Sequence, residues 1–162
     1  MRRTLVIMAS LVALGTTAAA QDGARFSLGY AYLKSLEEGG GSAPLGFYVS
    51  FAGSGTTTLE VDGGYHRDKD GDFTLEIYTA TAGLRFSPSS RGSAEPYLHI
   101  LGGVRHDRFE GASVTAWGGM AGVGVDIGTS GSMAIRLGAD FQLFRDEGVN
   151  DKTLRLNAGL TF

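Results

Sequence analysis

Three aspartates in the segment DKDGDFTLE have the spacing of ligands in a calcium-binding loop. Asp68, Asp70 and Asp72 stand at positions one, three and five of an EF-hand-like loop, from which carboxylates can converge on one hard cation. The pattern then departs from that loop, because Phe73 stands where the turn requires glycine. We therefore interpret the segment as a hairpin built on the Asp70-Gly71 turn, with weak cation binding by the three aspartates as the alternative.

Histidines supply the other candidate chemistry. His66 and His106 lie at the ends of apolar segments, and Glu110 and Ser113 follow closely enough to suggest a hydrolase site. No motif fixes the geometry of these four residues. We therefore assign no catalytic residue and no cofactor, and we interpret both histidines as ordinary polar residues at strand ends.

The first twenty residues have the organisation of a secretory signal peptide. Arg2 and Arg3 precede the apolar run TLVIMASLVALG, and Ala18-Ala19-Ala20 offers a cleavage site after Ala20. The apolar run is short for a membrane span, and a membrane anchor is the alternative interpretation. We predict a signal peptide over residues 1–20 and one domain over residues 21–162.

Composition excludes several classes of protein. Removing Arg2 and Arg3 with the leader changes the formal charge from −3 to −5, and such a balance argues against nucleic-acid binding. Cysteine is absent, so neither disulfides nor thiol chemistry are available. No run of 18 apolar residues follows the leader, which argues against a transmembrane helix.

Eight segments alternate between apolar and polar residues, which is typical of β-strands with two distinct faces. They are RFSLGYAYLK, LGFYVSFAG, TLEVDGGYH, EIYTATAGLRF, YLHILGGVRH, VTAWGGMAGVGVDIG, MAIRLGADFQLF and LRLNAGLTF. Phe73, Leu75 and Ile77 break the rule, since they are in the opposite phase to Tyr78, and we interpret them as a bulge or as a strand end beyond a membrane. The connections alternate between small residues and charge-rich loops, which indicates two different environments at the two ends of the sheet.

The polar faces of these segments suit a narrow barrel lumen. They combine glycine, alanine, serine and threonine with a balanced set of charges and no lysine, and arginine is suited to buried multidentate pairing. The predicted lumen charge network comprises Glu60, Asp62, Arg85, Arg105, Asp126, Arg136, Asp140 and Arg155. His99 shares this face, and we interpret it as a hydrogen-bond partner of the network.

The apolar faces suit contact with lipid. Aliphatic residues separate two groups of aromatic residues, as in the two girdles of a membrane-spanning barrel. The first group is Phe26, Phe51, Phe86 and Phe162, and the second is Tyr32, Phe47, Tyr65, Trp117 and Phe141. Closing the sheet would also remove the strand edges that hydrocarbon does not tolerate.

With these features, residues 21–162 resemble the small eight-stranded outer-membrane barrels of Gram-negative bacteria, of the OmpA, OmpX and opacity-protein type. The resemblance rests on the signal peptide, the eight alternating strands, the strand endings GLRF and NAGLTF, and the terminal Phe162. It implies periplasmic termini, charged loops outside the cell, and recognition of Phe162 by the outer-membrane assembly machinery. Short loops make receptor binding of the opacity-protein kind a weaker expectation.

The sequence therefore predicts an all-β fold, an eight-stranded antiparallel up-and-down transmembrane barrel in the bacterial outer membrane. Its expected role is structural or one of surface interaction, with a packed lumen that is not an open pore. The expected partners are outer-membrane lipid and the assembly machinery, without nucleic acid or any cofactor; the protein is expected to be a monomer, and its extracellular partner is unknown. Two alternatives stay open: a barrel enzyme that modifies outer-membrane lipid, and a soluble periplasmic barrel that binds an apolar ligand.

Overall fold

The computed structural model describes residues 23–37, 42–43, 45–70, 73–88, 93–109, 112–129, 132–146 and 148–162. The predicted signal peptide over residues 1–20, Asp72 and Glu110 lie outside the described residues. Within these ranges, no helix is long and apolar enough to cross a membrane.

The described chain forms strands throughout. They are β1 (Arg25–Ser35), β2 (Ser42–Ala43), β3 (Leu45–Ala52), β4 (Thr57–Asp70), β5 (Phe73–Phe86), β6 (Ala94–Phe109), β7 (Ala112–Gly128), β8 (Ala134–Asp146) and β9 (Val149–Thr161). The two-residue β2 and the longer β3 both pair with β1, so together they occupy one position in the wall.

The sheet closes on itself. Each long strand pairs antiparallel with its neighbours in sequence, and β9 pairs with β1 from Ser27↔Thr161 to Ser35↔Thr153. In the part of the chain that the structure describes, this makes an eight-stranded antiparallel up-and-down barrel, which confirms the predicted fold. We call the end that carries Arg25 and Phe162 the terminal end and the opposite one the distal end.

Of the two interpretations of the phase change in β5, the bulge is wrong, and the strand end beyond a membrane stays a prediction. Its pairing with β4 runs in one register from Asp70↔Phe73 to Thr57↔Phe86, and its pairing with β6 is equally regular. The phase changes because Ile77 faces the lumen, where it packs with Leu33 and Leu75 near the distal end. Apolar residues therefore fill this part of the lumen without any break in the strand.

The wall is apolar on its outer face and polar on its inner face, which is the reverse of a soluble barrel. Leu59 and Ile100 point outward and are 73% and 67% exposed, whereas their neighbours Glu60 and His99 point inward and are 1% and 3% exposed. An apolar exterior around a charged interior is expected of a barrel solvated by lipid. It contradicts the alternative of a soluble carrier, whose apolar face would line the lumen.

Candidate functional site

A circuit of charged side chains crosses the lumen. Arg155 donates hydrogen bonds to both carboxylate oxygens of Asp62, at 2.8 and 3.2 Å, and to Asp140 at 2.7 Å. The other oxygen of Asp140 lies 2.9 Å from Nε2 of His99, whose Nδ1 lies 3.0 Å from Glu60. All five side chains are buried.

The strand order explains how these residues meet. Glu60 and Asp62 are two residues apart on β4 and so share the inward face, while their partners come from β6, β8 and β9. The circuit starts and ends on β4, and it connects parts of the barrel wall that are several strands apart. Burial of so many charges is tolerable because each carboxylate meets a cationic or hydrogen-bonding partner.

A second group of charges lies closer to the terminal end. Asp126 accepts two hydrogen bonds from Arg136, at 2.8 and 2.9 Å, and one from Arg85 at 2.8 Å. Arg136 also donates to Ser50 on β3, at 2.9 Å, and so connects β8 with the opposite wall. Its Nη1 lies 3.6 Å from Glu60, which places this group beside the circuit.

Two tyrosines complete the lumen packing. The guanidinium carbons of Arg85 and Arg136 lie 3.8 and 4.9 Å from the ring centroid of Tyr97, and Arg155 lies 5.8 Å from the ring of Tyr48. Such stacking stabilises desolvated guanidinium groups. The sequence analysis missed both tyrosines, although each stands in the polar phase of its strand.

Glycine at position 122 gives the circuit its space. A Cβ atom there would overlap Oδ1 of Asp140 and would lie 2.7 Å from Nε2 of His99. Glycine at this inward position of β7 therefore follows from the size of the side chains that fill the lumen beside it.

The structure brings seven of the eight predicted network residues together and places Arg105 apart. Arg105 lies at the distal mouth, where it forms two hydrogen bonds with Asp107, at 2.8 and 2.7 Å, and an ion pair with Asp151 at 2.5 Å. A cavity of about 290 Å³ adjoins this group, and Asp146 and Phe144 contribute to its lining. His99, interpreted as a partner of the network, links two of its four carboxylates, those of Glu60 and Asp140.

The other candidate residues do not form a shared site. His66 is buried in the lumen, with no hydrogen-bond partner for its ring nitrogens among the described residues, whereas His106 lies on the outer face and pairs with Thr115 at 2.8 Å. Ser113 is exposed, and Glu110 is outside the described residues. The structure therefore separates the two histidines of the suggested hydrolase site, because His66 and His106 lie on opposite sides of the wall.

The aspartates of the calcium-like segment belong mainly to a strand. Asp68 and Asp70 are on β4, which pairs with β5 as far as Phe73, while Asp72 lies outside the described residues. In the described ranges, no group of three potential ligands could hold a metal ion.

Phe162 lies on the exterior at the terminal end. Its backbone exchanges hydrogen bonds with Phe26, at 2.8 and 3.1 Å, and the two rings stack at a centroid distance of 6.3 Å. The ring of Phe51 lies on the other side of Phe26, tilted by 39° at a centroid distance of 4.8 Å. These contacts place Phe162 among the aromatic residues of the first predicted girdle.

Comparisons with known proteins agree with this architecture. No protein-family model matches the chain, and no curated protein sequence is significantly similar to it. Among solved structures, the crystal structure of Neisserial surface protein A (NspA) is similar, with a TM-score of 0.73 and 15% identity over 86% of this chain and 96% of that one. The chain therefore has the fold of the small outer-membrane β-barrels.

Two further outer-membrane barrels show the same similarity. Ail, the attachment invasion locus protein of Yersinia pestis, has a TM-score of 0.60 and 19% identity over 88% of this chain and 100% of that one. OprG from Pseudomonas aeruginosa has a TM-score of 0.60 and 12% identity over 85% and 93% of the two chains. At these identities the similarity concerns the fold, and the role of this barrel must be argued from its own side chains.

Proposed function

We propose that this outer-membrane barrel has a structural or surface-interaction role and that its lumen is blocked to solutes. The observation that carries the proposal is the circuit from Asp62 through Arg155, Asp140 and His99 back to Glu60. Because it joins opposite walls, a solute could pass only if several buried ion pairs separated.

The cost of such an opening supports the proposal. Separating a buried ion pair leaves charges without compensation, at a cost of about 3–5 kcal/mol for each broken pair. The second group, in which Arg136 reaches from β8 to Ser50 on β3, adds another bridge across the same lumen. An eight-stranded barrel has an interior just wide enough for side chains, which these residues occupy.

The proposal includes export, with removal of residues 1–20 after Ala20, and insertion as a monomer in contact with outer-membrane lipid. It also includes recognition of Phe162 by the assembly machinery. NspA is named a surface protein and Ail an attachment invasion locus protein, and both names are compatible with a role at the cell surface.

Conductance across a planar lipid bilayer tests the blocked lumen. Folded protein, verified by its heat-modifiable migration in gels, should insert without a steady ohmic current. The matched variant Asp140→Ala/Arg155→Ala removes both members of one ion pair, so it leaves the formal charge unchanged while it widens the lumen, and it should conduct. A steady current from the unaltered protein, equal to that of the variant, would refute a blocked lumen.

A deletion strain tests the role. Loss of the protein should raise sensitivity to detergent and leave the uptake of small hydrophilic solutes unchanged, and both the unaltered protein and an Asn150→Ala variant should restore resistance. Slower uptake of such solutes in the deletion strain would indicate transport and contradict the proposal.

A further inference from the structure

Three polar atoms converge beside Gly64 on the lumen face of β4. A Cβ atom at this position would overlap Oγ1 of Thr79, and it would lie 3.6 Å from Nε2 of His66 and 3.7 Å from Nη1 of Arg155. All three atoms are therefore within reach of one small group placed over the glycine. We call this place, which is bounded by Thr79, His66 and Arg155, the polar niche.

The register of the wall explains why the polar niche forms. Gly64 stands directly opposite Thr79 of β5, so the threonine lies beside a residue that has no side chain of its own. His66 follows two positions later and so shares the inward face of β4. Because β4 runs from the terminal end to the distal end, the niche lies on the distal side of the circuit that contains Asp62.

Two of the side chains that bound the niche have unsatisfied polar atoms. His66 is 0% exposed and Thr79 is 8% exposed. Among the described residues, neither ring nitrogen of His66 has a hydrogen-bond partner, and Oγ1 of Thr79 has none either. Burial of such groups costs desolvation free energy that a bound ligand would recover. The niche therefore favours a partner from outside the chain.

Arg155 supplies a third donor. Its Nη1 carries two hydrogens, and Asp62 accepts one of them at 2.8 Å. Within the described chain Nη1 makes no other hydrogen bond, so its second hydrogen can serve a ligand in the niche. The hydroxyl of Thr79 can also donate, and Nε2 of His66 donates in the tautomer that carries its hydrogen there. Three donors can thus point at one acceptor.

The charges around the niche favour an anion. In the part of the chain that the structure describes, Arg155 and Arg105 are the charged residues that act on His66, and no carboxylate bonds to its ring. Two guanidinium groups repel a cation and attract an anion, and the attraction is stronger in a desolvated interior than in water. A water molecule would gain hydrogen bonds without this attraction. The short distances from one point to all three donors suit a monatomic ion.

We propose that the polar niche binds a single halide ion, with Thr79, His66 and Arg155 as its donors. The ion enters from the distal mouth and stops at the circuit, so its binding is compatible with a lumen that is blocked to solutes. It satisfies the buried polar atoms of His66 and Thr79, and it connects β5 with β4 and β9. The inference goes beyond the proposed function, because a blocked lumen requires no ligand.

Bromide identifies the ion directly. Crystals of the folded, unaltered protein grown in sodium bromide should show an anomalous-scattering peak within hydrogen-bond distance of Thr79, His66 and Arg155. Bromide is close to chloride in size, and its anomalous signal distinguishes it from water. Density without an anomalous signal in the niche, or anomalous peaks on the exterior alone, would overturn the proposal.

Two isosteric substitutions locate the site in solution. Thr79→Val removes one donor of the niche. Thr81→Val removes a hydroxyl on the same face of β5 that is also buried and without a partner among the described residues, but that is not one of the three atoms beside Gly64. The two variants therefore differ in their relation to the niche and not in the chemistry of the change.

Urea unfolding in lipid vesicles compares sodium chloride with sodium gluconate at equal ionic strength, because gluconate is too large for the niche. Chloride should raise the unfolding midpoint of the unaltered protein and of Thr81→Val, since a ligand that binds the folded state stabilises it. Thr79→Val should weaken the apparent affinity for chloride about tenfold, as expected from one lost hydrogen bond to an ion. Equal chloride effects in the two variants, or none in the unaltered protein, would overturn the proposal.

The polar niche and the blocked lumen fail in different experiments. A steady current through the unaltered barrel would count against the proposed function, whatever the response to chloride. A barrel that blocks current but shows neither a bromide peak nor a chloride effect would count against the polar niche alone.

Discussion

Replacing Arg155 by methionine should strongly destabilise the barrel. The side chain is 1% exposed and bonds to Asp62 and Asp140, and methionine has a similar length without charge. Asp140 keeps His99 and Asn157, at 2.9 Å each, but the hydrogen bonds of Asp62 within the described residues all come from Arg155. A buried carboxylate left without compensation costs about 3–5 kcal/mol, which we take as the expected loss in the free energy of unfolding.

Urea unfolding in lipid vesicles measures this loss. The emission of Trp117 reports the transition, because it is the single tryptophan of the chain and is 69% exposed on the outer face. Asn150→Ala, a change at an exposed position of the same strand, should alter the free energy of unfolding by less than about 0.5 kcal/mol. A loss for Arg155→Met as small as this control would refute the idea that the ion pair is buried and structurally important.

A double-mutant cycle separates the ion pair from the volume of the side chain. Arg155→Met leaves the charge of Asp62 without a partner, and Asp62→Asn removes that charge. The double variant should therefore be more stable than the sum of the single losses predicts. Residues in one buried network show coupling of about 0.5–3 kcal/mol. Additive losses would mean that Asp62 and Arg155 contribute independently.

Two further substitutions test the exterior and the space inside. Leu156→Arg places a charge between the two groups of aromatic residues and should cost about 2–4 kcal/mol, so the heat-modifiable folded form should be lost in cells. The control Thr161→Ser keeps the hydroxyl that bonds Ser27 and should assemble normally. A folded Leu156→Arg protein would argue against lipid at this face. Gly122→Ala should lower the free energy of unfolding by about 1–3 kcal/mol, because the added methyl overlaps Asp140, and the midpoint of urea unfolding would show this. Ala121→Gly, the outward neighbour, should cost about 1 kcal/mol or less, and an equal or smaller loss for Gly122→Ala would contradict the packing argument.

The alternation of residue types was sufficient to predict the barrel because one face of each strand points to the exterior and the other to the lumen. Period two determines which residues share a face, and the exposed Leu59 and the buried Glu60 follow that rule. The same rule failed at Ile77, where a bulge or a strand end beyond a membrane was predicted, because an apolar residue in the polar phase can also fill the lumen. A single strand carries no information on what stands opposite it inside.

The partners within the lumen could not be predicted. Asp62 and Arg155 are 93 positions apart, and their contact depends on the tilt and register of strands that are not neighbours. The candidate charges, and His99 as their hydrogen-bond partner, could be named from residue type and strand phase, but the two acids that His99 links, Glu60 and Asp140, could not.

The circuit across the lumen has a consequence for the order of folding. Arg155 lies on β9, the strand that closes the sheet against β1, and Asp140 lies on β8 beside it. An open sheet made of the earlier strands would contain Glu60, Asp62 and His99 without these partners. Such intermediates would carry uncompensated charge at the depth where lipid solvates poorly, so they should not accumulate. Closure and neutralisation are then a single cooperative event, completed by the last strand of the sheet.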